Sequence, residues 1–315
     1  MSLLAILDNS CADKRKYIEP CRFDAPGMDQ IKLDILRLDT LHPQVSGNKW
    51  LKLKPWLLRY ATGRYHGILT KGGPWSNHLH ACSFACRFLN ISLIALVKGS
   101  ESQPLTPTLK DVKHNGGTLM WANHGSYNKE EVWQKVADNL NYLYIPMGGE
   151  GAEGVAGVTE WFNQLDAPAY DYLFCAFGSG TTLLGIGQST LKCPNFITTD
   201  SGTRDAKRLG ALQLQLEAEG RKLVAQAAPG RFGKVSAETI ALVKQWHNAT
   251  GIVLDVVYTA PLFQQLLSLA EAGTFAAGSR VLAVHTGGVQ GNRSVPQLAK
   301  LKNNVKIKGI GNTPD

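Results

Sequence analysis

From residue 65 onward, short apolar runs alternate with stretches whose apolar residues recur at helical spacing. The runs occupy 67–70, 92–97, 118–121, 142–145, 172–177, 196–199 and 280–285. Between them, Leu79, Cys82, Cys86 and Leu89, or Ile240, Val243 and Trp246, fall three or four apart, which places each set on one face of a helix. Strand, helix, strand in repeated succession predicts a mostly parallel sheet with helices on both faces, an α/β fold. Such sheets take ligands beyond the carboxyl ends of their strands, where loops meet helix starts.

At 315 residues the chain is long for one core and suits two domains. The run Met147-Gly148-Gly149-Glu150-Gly151 is the clearest break between them. No apolar stretch approaches the ~20 residues that cross a bilayer, and the N-terminus lacks the basic region and cleavage site of an export signal. Six cysteines show neither a CxxC pair nor a histidine at metal spacing, which argues against a metal site and fits a reducing cytoplasm. Cys82 and Cys86 read as a core-facing stripe. The net charge of +8 is dispersed, apart from a basic tail at 300–308, and no aromatics interleave with it, so nucleic acid is not the expected partner.

Four segments carry candidate chemistry. In Val45-Ser46-Gly47-Asn48-Lys49-Trp50, the Lys49 amine could form a Schiff base with an aldehyde cofactor if its surroundings kept it partly unprotonated. Lys52, Lys54 and Lys71 read as ordinary solvated charges. The stretch from Thr70 to His78 follows a strand-like run and opens a helix, where free N–H groups can hold a carboxylate; Ser76 or Asn77 could equally be a plain N-cap. Gly178-Ser179-Gly180-Thr181 lets backbone approach a phosphate and adds hydroxyl donors, but matches neither a dinucleotide fingerprint nor a Walker loop. The fourth is bipartite, Tyr258-Thr259 and His285-Thr286-Gly287-Gly288; Tyr258 could be a core phenol, Thr286 a turn residue and His285 a satisfied core histidine.

Taken in order, these motifs resemble the ACC deaminase and D-cysteine desulfhydrase family, pyridoxal-phosphate enzymes similar to the tryptophan synthase β-subunit, of fold type II. The likeness spans roughly residues 20 to 292. It implies a large domain from 1–51 plus 159–315, a small inserted domain at 52–158, a cofactor in the cleft between them, and a homodimer. By the same resemblance Lys49 is the lysine that bears the cofactor, Asn77 faces the ring oxygen, and Ser76 is the active-site serine. Gly178, Ser179, Gly180 and Thr181 cradle the phosphate, Tyr258 faces substrate, and Thr286 stands by the ring nitrogen.

Two positions separate the branches: ACC deaminases carry Glu and Leu where this chain has Thr259 and Thr286. A hydroxyl cannot hold the ring nitrogen protonated as a carboxylate would, which suits β-elimination better than opening a cyclopropane. Trp75 replaces the usual Gln, Phe232 falls where a second tyrosine is expected, and Ala260-Pro261 replaces Gly-Lys. These changes reshape the pocket around Trp75, Ser76, Asn77, His78, Phe232 and Tyr258, the expected substrate contacts. The expected activity is a D-cysteine desulfhydrase-like α,β-elimination on a small amino acid, giving pyruvate, ammonia and sulfide. The alternatives are ACC deamination to 2-oxobutanoate and ammonia, and a non-catalytic pyridoxal-phosphate carrier.

Overall fold

The computed structural model describes residues 13–200, 205–227 and 233–303. Its strands are β1 (Ile18–Cys21), β2 (Ile31–Arg37), β3 (Gly67–Gly72), β4 (Ser92–Lys98), β5 (Thr118–Ala122), β6 (Tyr142–Ile145), β7 (Tyr172–Phe174), β8 (Asn195–Asp200), β9 (Lys222–Ala227) and β10 (Ser279–His285). Its helices are α1 (Asn48–Tyr60), α2 (Asn77–Phe88), α3 (Pro107–His114), α4 (His124–Tyr127), α5 (Glu130–Leu140), α6 (Ala152–Asn163), α7 (Thr181–Gly187), α8 (Ala206–Ala218), α9 (Ala237–Thr250) and α10 (Thr259–Glu271).

Two sheets form. One, in the order β5-β4-β3-β6, is parallel throughout; the other, β1-β2-β10-β7-β8-β9, is parallel except for β1 at its edge. The expected α/β class is what the chain adopts. Seven strands lie where apolar runs predict them, with ends shifted by a few residues. The regular ladder of β7 stops at Phe174 rather than Phe177, although the Cys175 and Phe177 N–H groups still donate to Ile197 and Thr199.

Three strands, β1, β2 and β9, were not expected. β2 alternates Ile31, Leu33 and Ile35 with Lys32 and Asp34, a strand pattern upstream of the repeating units. β1 holds Pro20, tolerated because this strand lies at an edge. β9 is an edge strand with Val224 exposed, so it lacks a continuous apolar run.

The central strands of each sheet are buried on both faces. Trp246, Phe263 and Phe23 pack one side of the six-stranded sheet and Phe162, Phe177 and Phe196 the other. Cys82 and Cys86 are buried on α2 with Leu79, as the stripe predicts, whereas Leu89 is the half-buried cap residue. The expected divisions at 51/52 and 158/159 fall inside α1 and α6. These helices pack in direct contact, because a Cβ on Gly157 would lie 2.2 Å from the Leu51 carbonyl oxygen. No helix among the described residues is long and apolar enough to cross a membrane.

Candidate active site

The loops after β3, β6, β7 and β10, the start of α1 and the turn before α10 enclose a cavity of about 620 Å³. It lies at the carboxyl ends of the parallel strands, where this architecture places ligands. Lys49, Trp75, Ser76, Asn77, His78, Gly178, Ser179, Gly180, Tyr258 and Thr286 all line it. Four segments distant in sequence therefore converge. Thr181 stands just behind the wall, its hydroxyl 2.9 Å from that of Ser179, and Phe232 falls outside the described residues.

Lys49 sits in the first turn of α1, which is fixed to the end of β10. The Asn48 N–H donates to the Thr286 carbonyl (3.1 Å) and the Asn48 side-chain amide to Thr182 Oγ1 (2.9 Å). Gly47, at φ 71°, is demanded here, since a Cβ would fall 2.0 Å from the Thr286 oxygen. Lys49 Nζ donates to Asn48 Oδ1 at 2.9 Å. Burial draws the amine down to about 8, against the opposing pull of Asp255, Cys175 and Glu150. A useful fraction is thus uncharged near neutral pH, as a nucleophile toward an aldehyde requires.

Lys52 corrects the reading of solvated charges. It is 3% exposed, one turn beyond Lys49 on the same helix face, and its Nζ donates to Ser179 Oγ at 3.3 Å. Burial and the neighbouring Lys49 hold it well below an ordinary lysine. Lys71 is buried too, donating to the Tyr127 carbonyl (3.1 Å) and pairing with Glu130; only Lys54, on Glu160, keeps to the surface side. The spacing Lys49, Lys52 was the available signal, because i and i+3 share a face once residue 48 starts a helix. Two amines crowded at one cavity wall favour an anion between them and the Gly178–Gly180 turn.

Ser76 is the N-cap of α2, its Oγ accepting the Leu79 N–H at 3.2 Å, so the capping reading holds and the residue also faces the cavity. Asn77 Oδ1 accepts from Gln290 Nε2 at 2.6 Å. His78 is pinned: Thr70 Oγ1 donates to the Ile145 carbonyl (2.7 Å), so it accepts from His78 Nε2 at 2.8 Å. Burial, then Lys49 and Lys52, push the imidazole down to about 3, so His78 is neutral.

Asp255, missed in the sequence, is fully buried on the cavity wall. Its Oδ1 accepts the N–H groups of Tyr258 (2.6 Å) and Val257 (3.2 Å), while Oδ2 has no protein partner. Burial raises it to about 7 against those hydrogen bonds and Lys49. The turn it caps sets Tyr258 against Gly178, where an added Cβ would lie 3.2 Å from the ring. Burial and Asp255 push the phenol well above its usual range, so it keeps its proton. Thr259 Oγ1 accepts the Asp255 N–H (2.6 Å) within that turn. His285 is a satisfied core residue: Nε2 donates to the Val253 carbonyl (2.9 Å) and Nδ1 accepts the Gly287 N–H (3.1 Å).

Among the described residues no group of three or more His, Cys, Asp or Glu side chains could hold a metal. The donor set instead suits pyridoxal phosphate: an amine of lowered basicity for its aldehyde, a second amine with a glycine-hydroxyl turn for its phosphate, and an asparagine amide beside them.

Known proteins agree. A mitochondrial bifunctional D-cysteine desulfhydrase/1-aminocyclopropane-1-carboxylate deaminase of Arabidopsis thaliana is 26% identical over 317 residues, covering 90% of this chain and 79% of its own. A D-cysteine desulfhydrase of Klebsiella pneumoniae is 24% identical over 286 residues, covering 81% and 86%. A solved structure described as an ACC deaminase homologue shares the fold, with a TM-score of 0.72 at 22% identity over 96% of this chain and 100% of that one. With the lysine, the glycine-serine turn and the asparagine gathered on one cavity, and a model of pyridoxal-phosphate dependent enzymes matching residues 25–287, the chain belongs to that family.

Proposed function

We propose that this chain is a lyase acting on a small amino acid by α,β-elimination, of the D-cysteine desulfhydrase type; the β-substituent leaves, as sulfide from cysteine, and hydrolysis by one water then gives pyruvate and ammonia. The observation that carries this is Lys49, an amine lowered to about 8 on the wall of a cavity that also holds Ser76, Asn77 and Tyr258. Lys49 bears the cofactor. Lys52, Gly178, Ser179 and Gly180, supported by Thr181, hold its phosphate; Asn77 faces the ring oxygen, and Thr286 stands at the ring nitrogen. When bound, pyridoxal phosphate supplies an electron sink for negative charge at the substrate α-carbon.

With its amine free of the cofactor, Lys49 Nζ would be the base that removes the substrate α-proton. Ser76 Oγ, whose lone pair takes the Leu79 N–H, keeps its own proton to donate to the substrate carboxylate. Tyr258, protonated across the working pH range, donates to the leaving group. Trp75, 38% exposed at the cavity lip, and neutral His78 bound the substrate side together with Tyr258.

The Arabidopsis relative carries both activities in its name, which keeps ACC deamination to 2-oxobutanoate and ammonia as the second reading. Assaying D-cysteine, L-cysteine and ACC side by side separates them: pyruvate and sulfide from cysteine, well above product from ACC, is the expected result. Turnover of ACC alone would overturn the first reading, and no product from any amino acid would leave a non-catalytic carrier. We extend the proposal to a cytoplasmic homodimer, supported by the resemblance and by the free cysteines among the described residues. The same resemblance supports 52–158 as a small domain inserted into a larger one.

A further inference from the structure

Gln290 lies in the 3-10 turn Val289–Ser294, beyond β10, and its amide has four neighbours. Oε1 accepts from Thr108 Oγ1 (2.8 Å) and from Arg293 Nη2 (2.8 Å). Nε2 donates to Asn77 Oδ1 (2.6 Å) and, at longer range, to the Trp75 carbonyl (3.4 Å). Two of these neighbours have only one possible role. A guanidinium can only donate, so the atom facing Arg293 is the oxygen; a carbonyl can only accept, so the atom facing Trp75 is the nitrogen. Either constraint alone fixes the orientation of the Gln290 amide, and they agree.

The consequence passes to Asn77. Facing an N–H donor, Asn77 must turn its own oxygen to Gln290, which leaves its NH₂ end for the cavity. That end lies over Gly288, where an added Cβ would come within 2.5 Å of Nδ2 and 3.3 Å of the Asp255 carboxyl carbon, so Asp255 is the titratable group beside it, with Lys49, Lys52, His78 and Tyr258 on the same cavity. Arg293 is itself held, by Asp111 Oδ2 (2.6 Å) and by the Gln290 carbonyl (Nε, 3.0 Å), and Asp111 also lies 3.2 Å from His80 Nε2. From Thr108 on α3 through Gln290 to Asn77 the donors all point one way, and Arg293, donating to both Asp111 and Gln290, fixes that direction.

We propose that Gln290 is a positioning residue that locks Asn77 as a hydrogen-bond donor toward the cofactor's ring oxygen, so that the site favours the deprotonated oxygen. This rests on the reading that pyridoxal phosphate sits at Lys49 with its ring oxygen toward Asn77. A neutral acceptor in place of that N–H would raise the proton affinity of the oxygen.

The test is a pH titration of the absorbance of bound pyridoxal phosphate, with its dissociation constant, in the wild type, Gln290→Glu and Gln290→Met. A carboxylate at 290 accepts only, so Asn77 must flip and present its carbonyl. Gln290→Glu is expected to move the titration midpoint upward by about one unit or more and to weaken cofactor binding at least about tenfold. Gln290→Met, which removes the lock without inverting it, is expected to move both in the same direction by less. It carries the test if the charged variant does not fold.

Wild-type midpoints and affinities in the folded variants would overturn the proposal while leaving the Lys49 reading intact. Equal losses of affinity in both variants with no shift of midpoint would reduce Gln290 to a packing residue and also overturn it. Absence of the lysine-bound chromophore from the wild type would instead overturn the reading beneath it, and the proposal with it.

Discussion

At position 49 a cation is held in a place that disfavours charge. Burial lowers the amine to about 8, and the acids around it only partly restore its basicity. The sign follows directly: below about 8 the group is ammonium and cannot attack an aldehyde, above it the lone pair is free. The rate at which apoprotein captures pyridoxal phosphate should therefore rise through a midpoint near pH 8, which stopped-flow absorbance can follow. A rise only above pH 10 would mark an ordinary solvated lysine. Lys49 was recognisable in the sequence because its neighbours form a motif. Lys52 and Asp255 were not, since a lysine three residues on looks like surface charge until a helix turns it inward, and an aspartate gains meaning only when packing strips it of water.

At the level of elements, α1 delivers both amines, and its position depends on α6. Gly157 leaves no room for a methyl group between the Leu51 carbonyl and Pro55. Gly157→Val should force the helices apart, costing about 1–3 kcal/mol of stability and weakening cofactor binding in parallel, since Lys49 and Lys52 move with α1. Thermal melts and a cofactor titration on the same preparation check both. Unchanged values would show that this contact does not set the site. The repeating units after residue 65 were legible because buried parallel strands make continuous apolar runs. β1 and β9 were hidden for the opposite reason, being edge strands, one with a proline and one with an exposed valine. The alternation in β2 was present but lay outside the repeat.

Across the whole molecule, the cavity gathers loops from both sheets, so a ligand there binds the folded chain and not the unfolded one. Pyridoxal phosphate at about a hundred times its dissociation constant should add about 2.7 kcal/mol of stability, seen as a higher melting temperature. In Lys49→Ala most of that increment should vanish along with turnover. A wild-type melting temperature indifferent to cofactor would place the binding site elsewhere. The general location of the site followed from the strand order of an α/β fold. The convergence of Gln290, Arg293, Thr108 and Asp111 on Asn77 did not, because it is a product of tertiary contact between α3 and the turn after β10, with no spacing along the chain to announce it.

The most direct test of the central claim uses borohydride to reduce the imine in the cofactor-loaded protein, followed by peptide mapping by mass spectrometry. Lys49 and Lys52 share one helix face and one cavity, so the experiment discriminates where the fold alone does not. The account predicts the pyridoxyl label on Lys49, with Lys52 unmodified. A label on Lys52 or on any other lysine, or none, would contradict it.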